Sequence, residues 1–276
     1  MFLGYFYAQT LQKSDLKLLI YLIVFESLVV IFQHFMGIST FFPQLIKEVA
    51  QPSDVDTSLL YYNRAYGLSA NSSVTALKFF LGFLIIDYLK LKGKLYIGIK
   101  ILLLIGLYFT FNRTVLVVLF VYMIAKISIP VLDVIVDLLD LKIKRKRFLV
   151  TLLGTMAFVL ISILVIDNMD NIITQFTRDK GLDLSGRDLI WADFISFIKE
   201  NPLFGNHSIK YYFTEHYSGP IHAHNSFLQV MANHGLIISL LFFLLIVLNL
   251  TWRNVLLVFA LVLYSLFQYG IFWGIS

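Results

Sequence analysis

Apolar runs long enough to cross a bilayer recur along this chain, and nothing constrains its fold more. Crossing the hydrocarbon core takes about 20 helical residues, and only helices or closed barrels satisfy their backbone polar groups inside it. About seven stretches read as spanning helices, at roughly 16–36, 74–90, 95–111, 114–132, 148–166, 227–249 and 254–274. Of the 276 residues, 59% are hydrophobic and 14% charged, against roughly 25% charged in soluble domains. The expected fold class is an all-α membrane protein, a polytopic helical bundle with a large, partly helical extracytoplasmic loop. No cysteine is present, which excludes disulfides and thiolate metal sites. Met1–Ala8 is apolar but has neither the basic leader nor the cleavage pattern of a signal peptide. It reads as the tail of another span, so the chain is expected to start inside a longer one.

Basic clusters set the sidedness. Lys13 and Lys17 precede the first span, Lys90, Lys92 and Lys94 separate the second and third, and Lys142, Lys144, Arg145, Lys146 and Arg147 precede the fifth. Threading the chain back and forth puts all three clusters on one face, which the positive-inside rule makes cytoplasmic. The long loops 37–73 and 167–226 and the Asn112-Arg113 turn then lie outside. Three regions follow: five spans with the first external loop over 1–166, the large loop over 167–226, and two spans over 227–276. Asp133, Asp137 and Asp140 recur at near-helical spacing, so 133–147 reads as an amphipathic surface helix, separate from span four or continuous with it.

The large loop carries the chemistry. From Ser185 the pattern turns helical, with Ile190, Trp191, Phe194, Ile195, Phe197 and Ile198 on one stripe, and Asn201-Pro202 ends it. Arg187 falls in the first helical turn, where a cation beside free backbone N–H groups can bind an anion. Asp188 or Asp183 could instead neutralise it. Further on, His222-Ala223-His224-Asn225 runs into Ser226-Phe227-Leu228-Gln229, which reads as a capping box with Ser226 as N-cap. His224 then sits just outside a helix N-terminus, where the dipole disfavours imidazolium and leaves a neutral ring able to act as a base. The plainer reading is a histidine that hydrogen-bonds its own turn. His216, His222 and His224 are close in sequence, but no metal-ligand spacing joins them, and His222 and His224 would point apart in an extended segment. No metal and no cofactor is expected.

Two more external arginines, Arg64 and Arg113, could snorkel to lipid phosphates or join Arg187 on one diphosphate through bidentate contacts that lysine does not reproduce. Among acids in the spans, Asp87 falls near the basic end of span two. Glu26 is mid-span, where pairing with a neighbouring helix is the favoured reading.

The order of these motifs resembles the O-antigen ligase and Wzy-type polymerase superfamily over about residues 60–240. It runs Arg64-x-x-Gly67, an arginine at an outer turn (Arg113), Gly186-Arg187-x-x-x-Trp191, Asn201-Pro202-Leu203-Phe204-Gly205, then His224-Asn225, nine residues and Gly235. The ligase-type pattern has Gly, Thr or Tyr three positions further on, where this chain has Ile238. The resemblance implies a multi-pass protein of the bacterial cytoplasmic membrane whose large loop is catalytic on the outer face. It would transfer glycan from an undecaprenyl-diphosphate carrier to a sugar hydroxyl, without a metal. A polymerase uses a second carrier-linked glycan as acceptor, a ligase the lipid A core. His224 would activate the acceptor hydroxyl, with Arg187, Arg113 and Arg64 holding the diphosphate and His222 and Asn225 lining the substrate site. Implied partners are the carrier-linked glycan, the acceptor, membrane lipids and a chain-length regulator, with no nucleic acid. A transporter or flippase for lipid-linked sugar is the alternative of another class.

Overall fold

The computed structural model describes residues 11–42, 64–69, 71–139, 187–214, 220–252 and 254–268, and over 129–139 the helical backbone alone. The expected span 148–166, its preceding basic run, Met1–Ala8, residues 167–186 and His216 lie outside the described residues. Among the described residues the architecture is all-helical: α1 (Lys13–Phe35), α2 (Ser72–Tyr88), α3 (Lys94–Phe109), α4 (Arg113–Leu139), α5 (Arg187–Glu200), α6 (Ser226–Leu248) and α7 (Val255–Phe267). Six of these fall on expected spans and α5 on the expected loop helix. By length and composition, α6 is the one helix among the described residues able to cross a membrane. The seven-span bundle is thus a finer statement than these helices make. The acidic stretch from Asp133 begins as a continuation of α4, which runs unbroken to Leu139.

The chain divides into two compact units, residues 1–116 and 117–276, and α4 starts in the first and enters the second. In the first unit, α1, α2 and α3 pack on one another. Small residues let them approach closely: a Cβ on Gly106 of α3 would lie 2.3 Å from Ser27 Oγ of α1, and that hydroxyl donates to the Leu102 carbonyl at 2.9 Å. Close approach of this kind is how helices gain dispersion contacts in lipid, which is itself as apolar as leucine. Ile20, Ile23, Phe79, Phe80, Leu103 and Leu107 fill the interior.

Buried polar groups fasten the segment carrying Arg64 to this bundle. Lys78 of α2 sits 3.0 Å from both carboxylate oxygens of Glu26. Glu26 also accepts from Ser69 Oγ at 3.1 Å and from the Leu68 N–H at 3.3 Å. Its side chain is only 7% exposed, so the neighbouring helix supplies the compensation that a buried carboxylate requires. Gln33 makes a two-way bond with Gly67, whose N–H donates to Oε1 at 2.8 Å while Nε2 donates to its carbonyl at 2.9 Å. Asp87 pairs with Lys100 of α3.

In the second unit, α6 packs against both α5 and α7. Gly235 breaks α6, with φ 77° and ψ −179°. Residues 226–234 before the break bury Ser226, Gln229, Val230, Ala232 and Asn233. Beyond it Leu236, Leu240, Leu241, Phe243 and Leu244 are exposed, an apolar surface suited to lipid. The break is where Asn201-Pro202-Leu203-Phe204-Gly205 docks. The Leu236 N–H donates to the Pro202 carbonyl, the Asn206 N–H to Ala232 and the Ser208 N–H to Asn233, each at 2.8 Å. Carbonyls and amides freed by the interrupted helix thus find partners in the loop, as burial demands. Both glycines are sterically required, since a Cβ on Gly205 would lie 2.5 Å from the Ala232 oxygen and one on Gly235 2.1 Å from the Leu203 oxygen.

Candidate active site

The histidine segment sits on a small core that orders it. Ile190 and Phe194 of α5, Phe213, Ala223 and Ala232 are buried together, with Trp191, Phe197, Ile198 and Tyr211 against them. The expected apolar stripe is correct except for Ile195, which is 43% exposed. The Trp191 indole N–H donates to the Ala223 carbonyl at 2.7 Å, which explains a tryptophan four positions after Arg187: it ties the helix that Arg187 opens to the peptide between the two histidines. From the other side, Gln229 Oε1 accepts from the Ala223 N–H at 2.9 Å. Its amide nitrogen donates to the Tyr211 carbonyl at 2.8 Å and to Asn233 Oδ1 at 3.0 Å. The Tyr211 ring stacks on Phe197, and its hydroxyl donates to Asp193 at 2.9 Å.

This network corrects the capping box. The N-cap of α6 is Asn225, whose Oδ1 accepts from the Phe227 and Leu228 N–H groups at 2.9 and 3.1 Å. Ser226 is the first helical residue and donates to the Gln268 carbonyl at 3.1 Å, while Gln229 serves the histidine segment. Asparagine and serine cap about equally well, so sequence preference alone does not separate adjacent candidates. His224 therefore directly precedes the cap. It adopts φ 50°, uncommon for a residue with a Cβ, and this changes where its ring goes. Extended backbone would send His222 and His224 apart; the left-handed turn brings their ring centroids to 4.3 Å.

Arg187, His222 and His224 are thereby brought into one electrostatic neighbourhood. Burial first, then His222 and then Arg187, lower the His224 pKa to about 4, while a hydrogen bond with the Gln268 side chain works in the opposite direction. His222 is lowered by burial, then by Arg187 and Lys210. Both rings are neutral near pH 7. Arg187 opens α5 and Arg113 opens α4, so each guanidinium stands at a helix start, where the dipole adds positive potential rather than cancelling it.

In the first unit Arg64 is half-buried and lies over the Tyr66 ring, 5.6 Å from its centroid. Its segment is pinned by the Ala65 N–H to the Phe109 carbonyl at the end of α3 and by the Tyr66 N–H to Ser39. The next turn carries Arg113, after Asn112, which accepts from the Val115 N–H and donates to Ser73. Arg64 and Arg113 thus belong to the same end of that unit.

Several contributors escaped the sequence reading: Asn233, Tyr211, Lys210, Gln268 and, for Glu26, Lys78, while Gln229 was read only as part of a capping box. One signal was available. Ser226, Gln229 and Asn233 form an i, i+3, i+7 polar stripe on a largely apolar helix, and such a stripe must find partners where it is buried.

The sequence profile of the O-antigen ligase family matches residues 98–243, more than half of the chain. The chain belongs to the O-antigen ligase family. The matched span contains Arg113, Arg187, His222 and His224 and both motifs that meet at the α6 break. Membership makes this O-antigen ligase family protein a membrane protein of the glycan-transfer class. No curated protein and no solved structure matches the chain.

Proposed function

We propose that the chain is a metal-independent polysaccharide polymerase, transferring glycan from undecaprenyl diphosphate to the hydroxyl of an acceptor sugar at the outer face of the cytoplasmic membrane. The observation that carries this reading is His224: a neutral imidazole held at a helix start with Arg187 in the same electrostatic neighbourhood. His224 takes the proton of the acceptor hydroxyl as its oxygen bonds to the anomeric carbon. The anomeric bond to the carrier diphosphate breaks, and the diphosphate departs with both electrons. Arg187 compensates the charge that develops on it, and the imidazolium then releases its proton to water. A base and preorganised cations suffice because diphosphate is a good leaving group once its charge is balanced. His222 and Asn225 line the acceptor side, and Arg64 and Arg113 of the first unit are further diphosphate contacts, as the resemblance implies. The site opens outward in a multi-pass bundle, and a chain-length regulator is a fitting partner.

Transfer to the lipid A core is the second reading, favoured by the family's own description as O-antigen ligase. Ile238 at the position where ligase-type sequences carry Gly, Thr or Tyr favours the polymerase. Complementing a strain that lacks the matching gene separates them. Loss of a polymerase leaves single repeats on the core and no ladder; loss of a ligase leaves the core bare. His224→Ala is expected to reproduce the null phenotype, and full activity in that variant removes the base.

A further inference from the structure

We infer that Tyr212 is the platform on which the acceptor's sugar ring packs, its phenol ring taking the C–H face of a pyranose beside His222 and His224. This rests on the reading of His224 as the base, and it names the surface that holds the sugar whose hydroxyl His224 activates.

The placement follows from one backbone pairing. Phe213 and Ile221 exchange both backbone hydrogen bonds, at 2.8 and 2.9 Å, in an antiparallel bridge. Residues directly opposite in such a pair share a face of the ribbon, and successive residues alternate between faces. Tyr211, Phe213, Ile221 and Ala223 all turn toward the core beside α5, where Phe213 and Ala223 are buried and Tyr211 stacks on Phe197. Tyr212 and His222 therefore belong to the other face. One step from the bridge sets them directly opposite each other, at a pair without exchanged backbone bonds, the kind whose side chains come closest. His222 in turn lies against His224, with ring centroids 4.3 Å apart. Lys210 is on the same face by alternation, in keeping with the effect of its charge on His222.

The two adjacent tyrosines have different fates. Tyr211 commits its ring to Phe197 and its hydroxyl to Asp193. Tyr212 is 36% exposed, and no hydrogen bond or ring contact engages its side chain among the described residues. A rigid aromatic ring of this kind offers apolar contact area at little entropic cost. Its negative face attracts the partly positive C–H bonds on one side of a pyranose and repels an anion. The hydroxyls at the rim of a sugar packed there are left to reach the histidines. The chemistry thus sorts the two substrates, the acceptor's sugar to Tyr212 and the carrier's diphosphate to Arg187.

The test uses the full chain in lipid nanodiscs, with the carrier-free repeat oligosaccharide of the host's glycan as probe. Saturating the protein's aromatic protons should pass magnetisation to the C–H protons on one face of a sugar ring in the unaltered chain. Tyr212→Ala should lose that transfer and bind the oligosaccharide about fivefold more weakly, the scale of one aromatic packing contact. Tyr212→Phe and Tyr212→Trp keep the platform and should retain both, which separates ring packing from a hydrogen bond of the phenol hydroxyl. Undecaprenyl diphosphate should bind Tyr212→Ala within about twofold of the unaltered chain. Tyr212→Leu repeats the test if the alanine variant folds poorly. Equal transfer and affinity in Tyr212→Ala, or no transfer in the unaltered chain, overturn the inference. So does a loss of undecaprenyl diphosphate binding as large as the loss of the oligosaccharide in a folded variant. A failure of the base reading looks different: His224→Ala stays fully active while Tyr212→Ala still loses the oligosaccharide.

Discussion

At the scale of single residues the chemistry turns on charge states that the fold imposes. An unperturbed histidine titrates near 6.5, whereas burial and the adjacent His222 and Arg187 bring His224 to about 4. The ring is therefore unprotonated, and competent as a base, throughout the neutral range. The acid limb of kcat/KM should fall at about pH 4, and a limb near 6.5 would mean that the reacting base is another group. The same depression acts on stability. The unfolded chain binds a proton at His224 near pH 6.5 and the folded chain only near 4, so the unfolded state holds more protons between those values. Folding stability from this group is full above about 6.5 and lost progressively as pH falls through about 4. Arg187 supports a second prediction. If it grips diphosphate through two parallel N–H bonds, Arg187→Lys should lose nearly as much kcat/KM as Arg187→Ala, because an ammonium keeps the charge but not the fork. Lysine activity equal to arginine would reduce the role to general charge. Both residues stood out in the sequence as candidates, since polar groups between apolar runs are conspicuous. The ring pairing of His222 and His224 was not, because it depends on a left-handed non-glycine residue that no local residue preference announces.

At the scale of elements, two sequence motifs explain each other. Asn201-Pro202-Leu203-Phe204-Gly205 was readable as a helix stop and Gly235 as a spaced glycine, but nothing in their order says that their backbones touch. The contact turns on Gly235, whose φ of 77° with ψ −179° is a region essentially reserved for glycine. Backbone strain and a Cβ driven into the Leu203 carbonyl act together, so Gly235→Ala should destabilise by about 2–5 kcal/mol. Gly98→Ala is the matched control: its Cβ meets nothing within 4 Å, and alanine is the better helix former by about 1 kcal/mol. Thermal unfolding in detergent should give Gly235→Ala a clearly lower midpoint than Gly98→Ala; equal midpoints would mean that the α6 break does not hold the loop. The break also bears on function, because it separates the buried polar turns beside His224 from the apolar, lipid-suited half. A transporter is the class in which broken helices are expected. Here the freed backbone groups are consumed by the 202–208 loop, which argues for a fixed site rather than a moving one.

At the scale of the whole molecule, the helices were the most legible feature, because long apolar runs announce a helix with little regard to detail, although α6 is the one described helix long and apolar enough to cross a membrane. Six of the expected spans correspond to described helices. Orientation is a separate matter, as it depends on where Lys and Arg lie relative to a membrane and not on packing. Within the first unit the alternation is visible: α2 ends and α3 begins at the Asp87–Lys100 pair, whereas α2 begins and α3 ends where Ser73 meets Asn112. Lys90, Lys92 and Lys94 thus share one end of that unit, and Arg64 and Arg113 the other. The chain contains no cysteine, so a single introduced thiol reports its own side without background. Lys92 and Ile209 are both exposed, the first in the basic turn between α2 and α3 and the second in the loop that docks on α6. In spheroplasts treated with a membrane-impermeant maleimide, Ile209→Cys should label at once and Lys92→Cys only after lysis. The reverse pattern would put His224 and Arg187 on the cytoplasmic side, and glycan transfer at the outer face would no longer be tenable for this site. Labelling of both in closed spheroplasts would remove the alternating topology itself, and with it the argument that the basic clusters mark a single face.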